Sequence, residues 1–78
     1  HKALALNAES VSALRELSNF HRRAGDATAL TETLARIVPL ESDPEIQAAT
    51  LLDLANVQET GLGDAPAAIE SYRRVLEI

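Results

Sequence analysis

An all-α fold made of antiparallel helix pairs laid in series is what this sequence predicts, and three observations predict it. First, the chain repeats itself. "SALRELSNFHRRAGD" (12–26) sets Leu14, Leu17, Asn19 and Phe20 over Leu51, Leu54, Asn56 and Val57 of "ATLLDLANVQETGLGD" (49–64) at an offset of 37 residues. One extra residue in the second turn moves the offset to 38, at which Gly25-Asp26, Glu32, Arg36 and Ile37 match Gly63-Asp64, Glu70, Arg74 and Val75. Self-similarity at such a period marks a repeat architecture. Second, apolar residues return every three or four positions, the spacing of one helix face. Third, period-two alternation is missing and Ala, Leu, Glu and Arg dominate, so strands have no candidate.

The elements follow in order. "ALALN" (Ala3–Asn7) resembles "IVPLE" (Ile37–Glu41) at an offset of 34. Residues 1–6 are therefore expected to be the tail of a preceding unit's second helix, followed by whole units at 7–41 and 42–78. The first helix of the first unit is expected to be capped by Asn7 or Ser10 and to bury Val11, Leu14, Leu17 and Phe20/Ala24. Gly25 past its end supplies the left-handed residue that helix C-termini favour. Asp26 caps the next helix, whose stripe is Leu30, Leu34, Ile37 and Val38. Pro39 lacks an N–H and clashes with the carbonyl of Ala35, which stops that helix near Val38.

In the second unit "SDPE" places Asp43 as cap, Pro44 at the first helical position and Glu45 in the positive first turn. The stripe there reads Ile46, Ala49, Thr50, Leu54 and Val57, widened by Leu51, and Gly61 ends it. Asp64 caps the last helix, Pro66 is early enough to be tolerated, and Ala68, Tyr72, Val75 and Leu76 are expected in the core. Glu32–Arg36 and Glu70–Arg74 stand four apart with the acid first, the favourable order for exposed pairs worth about 0.2–0.5 kcal/mol each.

Composition narrows the function. A chain of 78 residues buries only about 60–65% of its unfolded surface, so it is one small domain at most. It contains no Met, and it is expected to be an excised piece of a longer protein. No Cys is present, which excludes disulfides and thiolate metal sites. Apolar runs are far shorter than the roughly 20 residues of a transmembrane helix, so no membrane is expected as partner. Seven basic against twelve acidic residues give a net charge of −5, and one Phe and one Tyr are all there is for base stacking. Nucleic acid is excluded as partner on both grounds.

The helix–turn–helix unit, the Gly-Asp turn, the small–aromatic–apolar series Ala68, Tyr72, Val75, and the large–large–small series Leu14, Leu17, Ser18 and Leu51, Leu54, Ala55 together resemble the tetratricopeptide repeat family. The resemblance covers nearly the whole chain. His21 and Gln58 stand where the family usually carries an aromatic residue, and Leu30 fills a slot commonly held by Ala. Three added residues before the Pro44–Thr60 helix stretch the second unit. Longer helical-repeat units with glycine-rich turns are the nearest alternative within the same architecture.

The resemblance implies a right-handed α-α superhelix whose first helices line a concave groove holding a peptide or protein partner. Carried over residue by residue, the groove set is Arg15, Glu16, Asn19, Arg22 and Arg23 from the first unit and Leu52, Asp53, Asn56 and Glu59 from the second, with Ser12 and Ala49 beside them. Arg15 and Asn19, one turn apart, resemble part of a clamp for a partner's terminal carboxylate, a task suited to the planar fork of Arg. A complete clamp needs further Asn and basic residues, and the next helix offers Asp53 and Glu59 instead.

No catalytic, metal or cofactor residue is expected. His21 three residues after Ser18 has neither an orienting acid nor oxyanion donors. Glu41, Asp43 and Glu45 lack the spacing and glycine of a calcium loop, and capping explains them better. The two histidines lie 20 apart with no Cys, short of a zinc set. Two functions are left: an interaction scaffold working through the groove, or a structural unit that extends an array or associates with copies of itself. For the second, Tyr72 and Leu76 are expected to seek cover, since terminal repeats need a polar outer face.

Overall fold

The computed structural model describes the backbone of residues 2–78 and the side chains of residues 11–78. Four α-helices, α1 (Lys2–Ala24), α2 (Ala27–Ile37), α3 (Pro44–Thr60) and α4 (Ala65–Leu76), account for most of the chain, with a 3-10 turn at Val38–Leu40. The fold is all-α, with no strand among the described residues. None of these helices is long and apolar enough to cross a membrane.

Local chemistry sets the boundaries. Asp26, Asp43 and Asp64 cap α2, α3 and α4, their carboxylates accepting from the amides of Ala29 at 3.1 Å, Glu45 at 3.0 Å and Ala67 at 3.2 Å. Gly25 and Gly63 adopt φ of +75° and +64°, the left-handed geometry that turns the chain at the end of each first helix. Pro39 ends α2 as expected, and the chain tightens there into the 3-10 turn. Gln47 of α3 ties that turn down, its side-chain amide donating to the Val38 carbonyl at 2.7 Å.

One boundary differs from expectation. α1 runs unbroken from Lys2, so Asn7 and Ser10 lie inside it rather than at its start, and residues 2–6 belong to the same helix. That stretch is rich in Ala and Leu and has neither Gly nor Pro to stop it. The side chains of 2–10, and His1 altogether, lie outside the described residues.

The helices pack in chain order, α1 on α2, α2 on α3 and α3 on α4. A closed bundle of two helices by two measures about 15 Å across in both short directions, given interaxial spacings of 8–10 Å. Here the principal extents are 40 × 31 × 14 Å, so the helices together are flatter than such a bundle. One core joins them: Leu30, Leu34, Ile37 and Val38 of the α2 region with Leu51, Leu54 and Val57 of α3, and Leu14 and Val75 packed at its margins.

The expected stripe of α2 is wholly buried, but the other three need correction. On α1 the inward face carries Val11, Leu14, Ser18 and His21, while Leu17 and Phe20 are 41% and 58% exposed. On α3 Ile46 and Ala49 stand at the surface, and on α4 Tyr72 and Leu76 do so while Ala68 and Ser71 are buried. The reason is common to all. Each of these helices has apolar residues around more than one face, and only the faces that meet a neighbouring helix are covered. Buried hydroxyls are satisfied within their own helices or across one interface: Ser18 donates to the Arg15 carbonyl, Thr33 to Ala29, Thr50 to Ile46, and Ser71 to the Gln58 side chain.

Leu51 is 1% exposed, and Leu51→Ala is expected to cost about 2–5 kcal/mol. Phe20→Ala, despite removing a larger side chain, is expected to stay within about 0.5 kcal/mol of the parent. Urea unfolding of the dilute chain, followed by circular dichroism, checks both.

Candidate functional site

Between α1 and α3 lies an open cleft of about 460 Å³. Arg15, Asn19 and Arg22 line its α1 side, Ile46, Ala49, Thr50 and Asp53 its α3 side, and Leu34 of α2 closes the floor. The spacing that places them is helical. Arg15, Asn19 and Arg22 are four and three apart, as are Ile46, Thr50 and Asp53, so each set forms one strip along its helix.

Of the nine residues expected in a groove, the structure brings Arg15, Asn19, Arg22 and Asp53 together here, with Ala49 beside them. Glu16 and Arg23 are exposed on α1 outside the cleft, and Leu52, Asn56 and Glu59 are exposed on α3, likewise outside it. The latter three are the repeat equivalents of Arg15, Asn19 and Arg22, so they continue the same strip one helix further along. Glu59 accepts a hydrogen bond from the Tyr72 hydroxyl at 3.1 Å. That bond to Glu59, then burial, holds the phenol above its ordinary range.

Two ion pairs span the cleft and its end. Arg22 donates to Asp53 Oδ2 at 2.6 Å, joining α1 to α3, and Arg15 donates to Glu41 Oε1 at 2.9 Å, joining α1 to the segment before α3. The bond from Arg15, then one from the Asp43 amide, holds the Glu41 carboxyl below its ordinary value of 4.5. Arg15 is therefore engaged within the chain rather than held ready for a ligand's carboxylate. The expected pairs Glu32–Arg36 and Glu70–Arg74 do not form; all four residues are exposed, where an ion pair gains little against side-chain freedom.

Sequence reasoning missed Glu45, Ile46 and Thr50 as members of this site, and Glu41 as the partner of Arg15. Glu41 had no local signal, since its partner is 26 residues away. Ile46 and Thr50 carried one: on a helical wheel they fall at the edge of the α3 stripe, next to Asp53. The Ser18 hydroxyl donates to the Arg15 carbonyl at 2.7 Å rather than to His21. Among the described residues no cluster of three or more His, Cys, Asp or Glu has metal-binding geometry.

The cleft can therefore offer three things to a ligand: the free carboxamide of Asn19, the apolar flank of Ile46 and Ala49 over Leu34, and a rim of two ion pairs with the unpaired carboxylate of Glu45 beside them. No family model, no curated protein and no solved structure matches the chain.

Because its native proton affinity is lowered, Glu41 contributes stability that is complete above the unfolded value near 4.5 and is lost as pH falls through the lower native value. Glu41→Gln is thus expected to lower the thermal midpoint at neutral pH and to converge on the parent in acid. Parallel melts from pH 7 down to about 2.5 measure the difference between the two chains, in which the other carboxylates cancel.

Proposed function

We propose that this chain is a protein-interaction module of tetratricopeptide-like helical repeats, holding an extended segment of another protein in the cleft between α1 and α3. The observation that carries the reading is the cleft itself. It lies between the first helices of the two units, and its walls pair the uncommitted hydrogen-bonding side chains of Asn19 and Glu45 with an apolar shelf of Ile46 and Ala49.

Recognition in such a cleft is by backbone and shape rather than by charge. Asn offers both a donor and an acceptor to an extended ligand backbone, and Ile46 offers an anchor point for one apolar side chain. Arg15, Arg22, Asp53 and Glu41 are paired with each other. A terminal-carboxylate clamp is accordingly not the mode proposed: a ligand carboxylate would have to displace Glu41 from Arg15. The lateral spread of the helices and their packing in chain order support an array-like scaffold of which this cleft is one segment.

An arrayed library of short peptides, followed by amide-shift mapping of any binder on the labelled chain, tests the reading. Shifts are expected at Asn19, Arg22, Ile46, Ala49 and Asp53. The double substitution Asn19→Ala with Ile46→Ser is expected to weaken binding about tenfold while leaving the fold intact. Shifts confined to α2 and α4 would refute the cleft as the binding surface.

A further inference from the structure

We propose that this chain associates head to tail with copies of itself, the outer face of α1 on one copy seating on the outer face of α4 on the next. The surfaces concerned lie away from the α1–α3 cleft, so the inference stands apart from the peptide-binding reading.

Two apolar stripes carry it. On α1, Ala13, Leu17, Phe20 and Ala24 follow one another at spacings of four, three and four, all exposed. On α4, Ala65, Ile69, Tyr72 and Leu76 do the same; Ile69 is 57% and Leu76 86% exposed. Each is a continuous strip along its helix with no helix of this chain covering it.

What covers such strips is already present inside the molecule. At the repeat offset of 37, the α1 stripe corresponds to Thr50, Leu54, Val57 and Gly61 at the end of α3; the first three are buried. At the offset of 38, the α4 stripe corresponds to Ala27, Thr31, Leu34 and Val38; Thr31, Leu34 and Val38 are buried. These two inner sets face each other across the α2–α3 interface. Gly61 approaches so closely that an added Cβ would stand 2.9 Å from the Cβ of Ala27, and Leu34, Val38, Leu54 and Val57 share one core. The remaining buried residues agree: α4 meets α3 through Ala68, Ser71 and Val75, the equivalents of Leu30, Thr33 and Ile37. So the two exposed stripes are the two sides of an interface that the chain already makes once internally.

Size supports a second copy as the occupant. Ala24 replaces Gly61, whose lack of a side chain permits the closest internal approach, so the copied interface must sit slightly wider. The stripes compensate with bulk: Phe20 stands for Val57, Ile69 for Thr31, Tyr72 for Leu34 and Leu76 for Val38.

Charge is a second mismatch. The internal bridge Arg22–Asp53 becomes, by the same equivalence, Glu59 of one copy facing Glu16 of the next. Two acids there, on a chain of net charge −5, weaken association at low ionic strength and make salt strengthen it. Because unlike surfaces meet, growth is open-ended unless the array curves into a ring.

Sedimentation of the 78-residue chain up to about 1 mM tests this, with Leu17→Glu/Phe20→Glu and Ile69→Glu/Leu76→Glu variants as partners and circular dichroism as the folding control. The parent is expected to form a concentration-dependent series of oligomers that salt promotes. Each double variant alone is expected to be monomeric, and their mixture to stop at a one-to-one dimer joined through the two intact stripes. Glu16→Arg, which leaves the Tyr72–Glu59 bond in place, is expected to tighten association about two- to fivefold. A double variant that still dimerises by itself would reveal a like-to-like contact and overturn the proposal. A parent chain that stays monomeric would overturn it too.

Discussion

The structure depends on the contact between α2 and α3. Each is apolar around two faces, and each is the only helix that can cover the other while also covering a third. Ile37 and Leu51, the most completely buried large side chains, sit on those two helices. Without that contact the chain is two helix hairpins, each with one open flank. Such hairpins are too small to bury enough apolar surface alone, since isolated short helices draw most of their stability from packing. The α2–α3 interface is therefore both the centre of the core and the step by which one hairpin is added to the next.

The turns fix how that step is taken. Each first helix is followed by a glycine with positive φ and an aspartate that caps the next helix, so the reversal in direction is written twice in nearly the same residues. Gly61 adds a second constraint. Its φ is ordinary, but its missing side chain lets the end of α3 approach the start of α2. Between the units, the 3-10 turn and the Gln47 bond to Val38 hold the crossing from α2 to α3. Each feature is a backbone matter, independent of what any ligand requires.

That distinction explains what was legible in the sequence. The aspartate caps, the glycine turns and the stripe of α2 are local or periodic signals, and these are present as read. The α2 stripe could be read whole because both of its faces are covered, so each large apolar residue on it is inside. α1 and α4 have the same two apolar faces and only one neighbour each, and periodicity alone does not say which face is met. Leu17, Phe20, Tyr72 and Leu76 were assigned inward for that reason. The helix break at Asn7 or Ser10 rested on resemblance to a later unit; a run of Ala and Leu prevails over one Asn or Ser. In the cleft, the strip of Arg15, Asn19 and Arg22 was visible as a helical register. The Arg15–Glu41 bridge was not, because it joins residues brought near only by the packing of α1 against the rest.

The charge pattern of the cleft follows from its position at a joint between units. Arg22–Asp53 runs from α1 to α3 and Arg15–Glu41 from α1 to the segment just before α3, so they help orient the two first helices as well as neutralise part of the rim. The arginine side chains are 40% and 47% exposed. Bridges so open are worth about 0.2–1 kcal/mol and less in salt. They therefore bias the width of the cleft without locking it. A segment entering between the helices can separate Arg22 from Asp53 at small cost and offer each a new partner, whereas Leu34 and Thr50 beneath are buried and fixed. The cleft thus has a rigid apolar floor and an adjustable charged rim. Under the proposed reading, a ligand would be selected by what fits the floor and accommodated by what lies along the edge.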